Sequence, residues 1–442
     1  MDVVYNHVAG IDQHSFDKIV PGYYFRQDAK GNFLGGTGVG NETASERKMV
    51  RKFIVDSTKY LAETYNLDGF RFDLMGTHDY KTINEVREEL DKINPNIFIL
   101  GEGWNMDMGI PEDQRATQVN AVKISDRVAF FNDDLRDASK GSVFGDTDPG
   151  FVNGALGKEE FLLQNIRGGK GLKTYKSANQ LIQYVEAHDN LTLWDKLKFT
   201  NPDEDDETLL KRHKMSTTIV TLSQGTPFIH AGQEFARTKD GDHNSYKSSD
   251  EVNRLDWDRA EEFSSHIDYF RELVKIRKAY NVFDLKEYSD INRVFNKLNA
   301  EDQLIAYELK DINASQNSSN EHLYISYNAS NETKEINVDN GTYKVLVRDQ
   351  KANVNGLETI EVTNGKVEVL PLSSLVLAKN ESEEEPEEPK LHDTKGYITG
   401  AINVRISPNG PVIGTLEREA IVEGEYEEGS NWVKFDYYGQ EA

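Results

Sequence analysis

The sequence predicts an α/β chain in which a (β/α)8 TIM barrel lacking its first units precedes an antiparallel β-sandwich and a small all-β module. Three observations predict this order. Short apolar strands alternate with amphipathic helices through residues 1–285. The hydrophobic period becomes two in residues 286–380, which is typical of antiparallel strands. After an acidic stretch at 381–390, strand-forming residues return in 391–442.

Six strand candidates lie in the first 285 residues. They are 2–5, 69–72, 97–100, 128–131, 181–185 and 228–230. Strands that are joined by helices form parallel sheets, and a closed barrel of this kind has eight such units. Two units would therefore be missing, and because the chain begins with strand-like residues, we expect them to precede Met1.

The helical patterns between these strands are amphipathic. Between the first two strands, apolar residues recur at helical spacing; they are Met49, Val50, Phe53, Ile54, Tyr60, Leu61 and Tyr65. The next helix carries Ile83, Val86 and Leu90 and stops before Pro95. Later helices are predicted at about 206–223 and 264–280.

The chain after about residue 285 is predicted to form mainly β structure. Leu323, Ile325 and Tyr327 alternate with polar neighbours, which predicts strands with one buried face. The glutamate- and proline-rich residues 381–390 predict an extended linker. Residues 391–442, with a strand expected at 431–435, form a module near the lower size limit for an independent core.

Composition excludes several function classes. The formal net charge is −25, from 51 basic and 76 acidic residues, which argues against nucleic acid or an anionic membrane as a partner. The absence of cysteine excludes a thiol nucleophile, a disulfide framework and a cysteine–zinc site. No apolar run reaches the ~20 residues of a membrane span. These features suit a secreted protein that acts on a neutral substrate.

The stretch 68–76 carries two charges at the end of a predicted strand. Because side chains alternate along a strand, Arg71 and Asp73 are expected on one face, with Phe70, Phe72 and Leu74 on the other. A guanidinium favours the ionised form of a neighbouring carboxylate, which then suits a nucleophile or a metal ligand. A purely structural Arg–Asp pair is the alternative for this motif alone.

The other strand ends carry further polar side chains. They include Asn6, His7, Glu102, Trp104, Asn132, Asp133, Glu186, His188, Asp189 and His230. Each has a plain alternative, such as a solvated loop residue for Glu102 or a helix cap for His188 and Asp189. Strand ends of a parallel barrel converge, so their conjunction indicates one site. The histidines lack HExxH spacing, so no zinc site is expected.

Three carboxylates at converging strand ends suit the hydrolysis of a glycosidic bond with retention at the anomeric carbon. That reaction needs an ionised nucleophile and a protonated acid/base about 5–5.5 Å apart. Asp73 suits the nucleophile, and Glu102 suits the acid/base because an apolar wall near Trp104 would raise its pKa. Asp189 suits a group that stabilises the transition state. Candidate sugar-stacking rings are Trp104, Phe130, Phe131 and Trp194, at least half of which are expected in the core.

Four stretches give a specific resemblance. Residues 2–7, 68–73, 101–104 and 185–189 resemble, in order, the signature regions of glycoside hydrolase family 13, the α-amylase family. The likeness covers about 1–380. Within that family the chain is most similar to type I pullulanases, through residues 20–24, 40–47, 72–76, 132–137, 150–155 and 241–246.

The resemblance implies residue roles and a reaction. Asp73 would be the nucleophile, Glu102 the acid/base and Asp189 the transition-state stabiliser. Substrate-binding residues would be Tyr5, His7, Arg71, Trp104, His188 and Asn244. The implied reaction is hydrolysis of α-1,6 branch linkages in pullulan- or amylopectin-type α-glucans. Calcium near Asn6 is a candidate ion, although no cofactor is required.

Two departures from the family pattern keep alternatives open. The Tyr-Asn-Trp-Gly-Tyr signature of pullulanases is not in the sequence, so an isoamylase or an α-1,4-acting relative remains an alternative. An incomplete barrel leaves a non-catalytic glucan- or wall-binding fragment as another. Glu186 places a charge beside the His188–Asp189 pair, where it is expected to perturb Asp189 or face solvent.

The C-terminal module adds an expectation about location. Residues 391–442 resemble bacterial Src-homology-3-like modules, which often attach secreted enzymes to cell walls. The chain is thus expected to be extracellular or on the bacterial cell surface, with an α-glucan as substrate and the cell wall as a second partner. A plain spacer or a glucan-contacting domain is the alternative for this module.

Overall fold

The computed structural model divides the chain into two compact units, Met1–Asn380 and Glu381–Ala442. It describes residues 1–12, 14–311, 321–379, 391–397, 402–405, 412–418, 420–427, 432–437 and 440–441. The first unit holds a parallel sheet, an antiparallel sheet and the helices that pack on both.

Six parallel strands follow one another across the first sheet in chain order. They are β1 (Asp2–Val3), β2 (Gly69–Phe72), β3 (Phe98–Gly101), β4 (Val128–Phe131), β5 (Leu181–Gln183) and β6 (Thr226–Pro227). The predicted parallel sheet with helical crossovers is confirmed. The sixth strand was predicted wrongly at 228–230: Phe228 still donates to Gln183, but the chain then turns, with the Gln233 amide bonded to the His230 carbonyl.

Seven helices lie between these strands, and four follow β6. They are α1 (Ser15–Ile19), α2 (Lys48–Tyr65), α3 (Tyr80–Ile93), α4 (Asp133–Lys140), α5 (Glu159–Ile166), α6 (Leu193–Thr200) and α7 (Asp206–Leu222), and then α8 (Asp250–Asn253), α9 (Trp257–Glu262), α10 (Ser264–Ala279) and α11 (Tyr288–Val294) in the described residues. In α2 the apolar residues that predict the helix do not all lie on its buried face. Val50 and Ile54 are buried, whereas Phe53 and Tyr60 are exposed, because only the face toward the sheet and α3 is covered.

Strand β2 shows the predicted alternation up to its end. Phe70 and Phe72 are buried in one core with α2 and α3, and Arg71 lies on the other face. Leu74 was predicted on the face of Phe70 and Phe72, but the strand ends at Phe72 and Leu74 has a left-handed backbone, with φ of 39°. That conformation is unfavourable for a side chain with a Cβ and often marks a functional turn.

The second sheet is antiparallel, as predicted. Its strands are β7 (Phe295–Glu301), β8 (Leu304–Asp311), β9 (Glu321–Asn328), β11 (Gly341–Arg348), β12 (Lys351–Ala352), β13 (Glu358–Val362) and β15 (Ser373–Lys379), and a separate pair is formed by β10 (Lys334–Asn337) and β14 (Lys366–Val369). The sheet runs β12-β11-β15-β9-β8-β7, with β13 paired to β11. Together the sheet and the pair enclose a second core.

Strand β9 differs from its prediction. It was expected to bury one face, but all eight of its residues are buried. Leu323, Ile325 and Tyr327 pack into the core that also holds α7 and α10, whereas Tyr324 packs into the core of the β structure. The residues that alternate with these three along β9 are also buried, because another layer of structure packs on each face of the sheet.

The described residues of the second unit form three antiparallel strand pairs. They are Leu391–Tyr397 with Ile421–Glu427, Ile402–Arg405 with Val412–Leu416, and Asp436–Tyr437 with Gln440–Glu441. The strand expected at 431–435 falls outside the described residues at 431, and residues 432–435 contain no strand longer than an isolated bridge. None of the helices in the described part of the chain has the length and apolar character needed to cross a lipid bilayer.

Candidate active site

One guanidinium joins two of the predicted carboxylates. Arg71 Nη1 lies 2.9 Å from Asp73 Oδ1, and its Nη2 lies 2.7 Å from Glu102 Oε1. Arg71 points from β2 and Glu102 follows β3, the next strand of the sheet. The convergence of strand ends therefore brings together an ion-paired Asp and Glu from separate parts of the sequence.

Asp73 is held through both of its carboxylate oxygens. Arg71 donates to Oδ1, and Asn6 Nδ2 donates to Oδ2 at 2.8 Å and to the Asp73 carbonyl at 2.9 Å. The side-chain oxygen of Asn6 contacts His7 Nδ1, which links His7 to this network. Each carboxylate oxygen offers two lone pairs, so each still has one available for substrate.

Glu102 is more deeply placed than Asp73. Burial raises its pKa, although the charge of Arg71 and a hydrogen bond from the Leu74 amide oppose that rise. The Leu74 amide donates to Glu102 Oε2 at 2.9 Å, and the left-handed turn at Leu74 aims it there. A carboxyl group with a raised pKa keeps its proton nearer to neutral pH and suits general acid catalysis.

The turn after β2 and the segment after β3 approach each other closely. Gly76 donates its amide to the Glu102 carbonyl at 2.8 Å. A Cβ built on Gly76 would lie 2.2 Å from the Trp104 carbonyl oxygen, so no other residue fits without moving the backbone. This contact fixes the segment that carries Glu102 and Trp104 relative to Asp73.

A cavity of about 560 Å³ opens beside this pair. Arg71, Glu102, Trp104, His188 and Asp189 all line it. His188 Nε2 lies 3.6 Å from Asp189 Oδ2, and both side chains are more than half exposed. The charge of Asp189 also contributes to the raised pKa of Glu102, which places the third carboxylate within electrostatic reach of the second.

Aromatic and cationic groups form the cavity wall. Arg136 lies over the rings of Trp104 and Tyr184, with its guanidinium carbon 5.8 and 5.6 Å from the ring centroids. Phe131 and Phe228 line the same cavity. Flat rings beside hydroxyl-binding carboxylates are suited to pack against the apolar faces of a sugar.

Four predicted residues do not line the cavity: Tyr5, His7, Asp73 and Asn244. Asp73 is nevertheless ion-paired to Arg71, which does line it. The Tyr5 hydroxyl bonds to Ser57 at 2.8 Å, and its ring packs on Phe72. Asn244 is exposed, and its backbone amide donates to Asp242.

Two of the four candidate stacking rings are core residues. Phe130 packs among the residues around α2 and α3, and Trp194 packs in the core below α7. Trp104 and Phe131 line the cavity. Asn132, also noted at a strand end, is buried and bonds to Asn165, Gln183 and the Leu135 amide, which is a structural role.

Glu186 contradicts one expectation. It does not face solvent: it is 1% exposed, pairs with His230 Nδ1 at 3.0 Å and accepts a hydrogen bond from the Leu193 amide at the start of α6. Although burial alone would raise its pKa, the hydrogen bond from His230 lowers it overall. The charge is thus paired inside the fold.

The cationic side of the cavity was not predicted from the sequence. Arg136 and Lys140 both line it, and they lie four residues apart on α4, on one face of the helix. Because these two cations lie one helical turn apart directly after the candidate residue Asp133, their spacing could have indicated a cationic wall of the site. Tyr184, which follows β5, was also missed.

Known proteins resemble this chain over most of its length. The family model described as "Pullulanase, all-beta domain" matches residues 291–351. A curated relative, a pullulanase of Bacillus subtilis strain 168, is 45% identical over 316 residues, covering 71% of this chain and 44% of its own. Pullulanase A of Streptococcus pneumoniae is 31% identical over 423 residues, covering 83% of this chain and 32% of its own.

Solved structures give the same result. The type I pullulanase of Bacillus subtilis, solved with maltose, superposes with a TM-score of 0.81 at 39% identity, over 86% of this chain and 53% of that one. An Anoxybacillus pullulanase solved with maltotetraose gives a TM-score of 0.79 at 39% identity, over the same shares of the two chains. This chain spans about half or less of the length of the relatives it matches.

Proposed function

Because this chain is homologous to the pullulanases, we propose that it hydrolyses α-1,6 branch linkages in pullulan- and amylopectin-type α-glucans, with retention at the anomeric carbon. The observation that carries the proposal is the guanidinium of Arg71, which pairs with Asp73 and Glu102 at once. Two carboxyl groups beside one cavity, differing in burial, match the two roles that a retaining glycosidase needs.

The proposed mechanism has two displacements. Asp73 attacks the anomeric carbon as Glu102 gives its proton to the departing glycosidic oxygen, so the C–O bond breaks and a glycosyl ester forms. Glu102, now a carboxylate, then removes a proton from water. The resulting hydroxide equivalent attacks the same carbon, which releases the sugar and regenerates the Asp73 carboxylate.

The surroundings of Glu102 support both of its proposed steps. Burial raises its pKa and favours the proton needed in the first step. After it gives up that proton, Arg71 and the Leu74 amide stabilise the carboxylate that takes one from water. These donors are fixed before reaction, so no reorganisation is needed when the charge appears.

The cavity supplies the remaining proposed contacts. We assign Asp189 to stabilising the oxocarbenium-like transition state, and Arg71, Trp104 and His188 to binding the sugar at the cleavage point, since all four line the cavity. The substrate-binding roles of Tyr5, His7 and Asn244 stay predictions from the sequence.

The proposal is tested by comparing pullulan with linear amylose. Release of reducing ends from pullulan, abolished in Asp73→Asn and Glu102→Gln, is the expected result. Asp268→Asn is the matched control, because Asp268 is exposed on α10 and pairs only with Arg271 in the described part of the chain. Hydrolysis of amylose alone would favour an α-1,4-acting enzyme. Glucan binding without hydrolysis of either polymer would favour the non-catalytic alternative.

We also propose that the parallel sheet belongs to a (β/α)8 barrel. Its six strands follow chain order, and the proposed catalytic groups lie in the segments that follow the carboxyl ends of β2, β3 and β5, as they do in such barrels. In this scheme residues 1–285 form the partial barrel and 286–380 the sandwich. The linker predicted at 381–390 lies outside the described residues, and the small module predicted at 391–442 is described only in part.

Location and a second partner are likewise proposals. We infer an extracellular or cell-surface protein whose residues 391–442 attach to the bacterial cell wall, on the strength of the resemblance of that segment. Sedimentation of the whole protein with purified peptidoglycan tests it. A protein that stays in the supernatant at every salt concentration would leave the module as a spacer.

Calcium near Asn6 stays a proposal. Its amide nitrogen faces Asp73, and its side-chain oxygen contacts His7 and keeps one lone pair for a further partner. Among the described residues, side chains able to hold a metal ion group elsewhere, at Glu308, His322 and Asp339 of the antiparallel structure. No step above uses a metal ion, and activity after chelation tests calcium dependence.

A further inference from the structure

The segment that carries Asp189 is not anchored by its own functional side chains. The side chains of His188 and Asp189 are 57% and 62% exposed, whereas those of Asp73 and Glu102 are 24% and 10% exposed. Asn190, which follows them, has a left-handed backbone with φ of 63°. Such a turn needs support from elsewhere to keep one conformation.

One support comes from Lys239, in the segment after β6. Its ammonium group donates to the His188 carbonyl at 2.8 Å, and the side chain is almost fully buried. The backbone amide of Lys239 donates to Asp195 Oδ2 at 2.8 Å. Asp195 lies in the first turn of α6, so the lysine is itself fixed to the helix that follows the segment.

The other support comes from Lys140, the last residue of α4. Its ammonium group donates to the Leu191 carbonyl at 3.0 Å, and its side chain is also almost fully buried. The two lysines thus bind the first and last carbonyls of residues 188–191 from two different elements. Glu186 holds the following residues through the Leu193 amide.

Both lysines are buried and donate to main-chain carbonyls, as does Lys196, which bonds to the Ser142 and Gly145 carbonyls. Neither Lys140 nor Lys239 forms an ion pair among the described residues, although lysines at this depth are almost always paired. Burial lowers the pKa of both, that of Lys140 to about 7. Burying an ammonium group against a carbonyl costs stability. We therefore look for the role of the two lysines in the backbone segment whose carbonyls they bind.

We propose that Lys140 and Lys239 are positioning residues that clamp residues 188–191 by its end carbonyls and thereby place Asp189 against the sugar at the cleavage point. This inference rests on the proposed function for the role of Asp189. The clamp itself depends only on the two contacts. Asp73 and Glu102 are fixed by side-chain ion pairing, whereas Asp189 is fixed through its main chain.

Amide hydrogen exchange on the full chain tests the clamp without depending on activity. In Lys140→Met and Lys239→Met, exchange in a peptide spanning 187–193 is expected to rise about tenfold, since each variant loses a charged hydrogen bond. Lys214→Met is the matched control: Lys214 is a partly buried lysine that also donates to a carbonyl, that of Gln350 at 3.0 Å, in the antiparallel structure. Its exchange in 187–193 is expected to stay unchanged.

Kinetics on pullulan give the second readout. Each methionine variant is expected to lose about 10- to 100-fold in kcat with KM nearly unchanged, because Asp189 is misplaced and glucan still binds the rest of the cavity. Lys140→Arg and Lys239→Arg keep a donor, and partial recovery of kcat and of slow exchange is expected. These arginine variants also stand in if a methionine variant fails to fold.

The outcomes separate the two proposals. Unchanged exchange in 187–193, or an equal rise in Lys214→Met, would overturn the clamp. A wild-type chain with no hydrolytic activity would reject the proposed function, and the exchange data would still decide whether the lysines hold the segment.

Discussion

Replacing Arg71 by methionine tests the electrostatic arrangement on which the site depends. The guanidinium is the shared partner of Asp73 and Glu102, at 2.9 and 2.7 Å, and is mostly buried. Methionine keeps the apolar stem and removes both contacts. The two carboxyl groups then face each other without an intervening cation.

The expected loss of stability depends on pH. Removing one partner of a buried ion pair typically costs about 3–5 kcal/mol, and the partial exposure of Asp73 favours about 3 kcal/mol here. Arg71 opposes the raised pKa of Glu102, so its removal raises that pKa further. A carboxyl group with a raised pKa favours the folded state fully only below its unfolded pKa of 4.5, and that contribution is lost as pH rises. The destabilisation should therefore grow from acid to alkaline pH.

Thermal melting at about pH 5.5 and about pH 8 measures this difference. For a unit of this size about 3 kcal/mol corresponds to a fall in Tm of about 4 °C, which is expected at the higher pH and should be clearly smaller at the lower. Arg115→Met is the control, because the buried Arg115 donates to backbone carbonyls and Asn105 and not to carboxylates among the described residues. Its Tm loss should not depend on pH. A loss in Arg71→Met that is equal at both pH values, or larger in acid, would refute the reasoning.

Three further predictions follow from the site and its supports. Glu102→Gln should lower kcat on pullulan about 10²- to 10⁴-fold and remove the alkaline limb of the pH–rate profile, since the group with the raised pKa is gone; a surviving limb would assign it to another residue. Asn6→Ala removes the donor to Asp73 Oδ2 and should lower kcat about tenfold with Tm lowered slightly, and full activity would show that Arg71 alone holds Asp73. Glu186→Leu should lower the free energy of unfolding by about 3 kcal/mol at neutral pH, because His230 and the Leu193 amide lose their partner. Since the pKa of Glu186 is lowered in the folded state, the difference in Tm from wild type should narrow as pH falls. A difference that widens in acid would contradict this.

The parts of the site that follow from strand topology were predictable. Parallel strands end on one edge of a sheet, so the sequence predicts that Arg71, Glu102 and Asp189 lie together, and they line one cavity. Glu102 was expected to have a raised pKa from its apolar neighbour, and burial does raise it. These inferences need only local pattern and the rule for parallel sheets.

The parts that depend on contacts across the sequence were not predictable. Glu186 looked unpaired because its partner, His230, lies 44 residues further on and the pattern of neither residue reveals the other. The left-handed turn at Leu74 goes against the preference of leucine and is imposed by the packing of two loops. The partners of the buried lysines are backbone carbonyls, which no sequence pattern identifies.

The double burial of β9 has a consequence for any attempt to divide the protein. Tyr327 and Ile325 share their core with helices that pack on the parallel sheet, among them α7 and α10, so a cut near residue 285 would leave those helices with uncovered apolar side chains. The antiparallel β structure thus covers part of the hydrophobic core of the half that holds the proposed active site. Shortened versions intended for crystallisation or fusion should keep everything through β15.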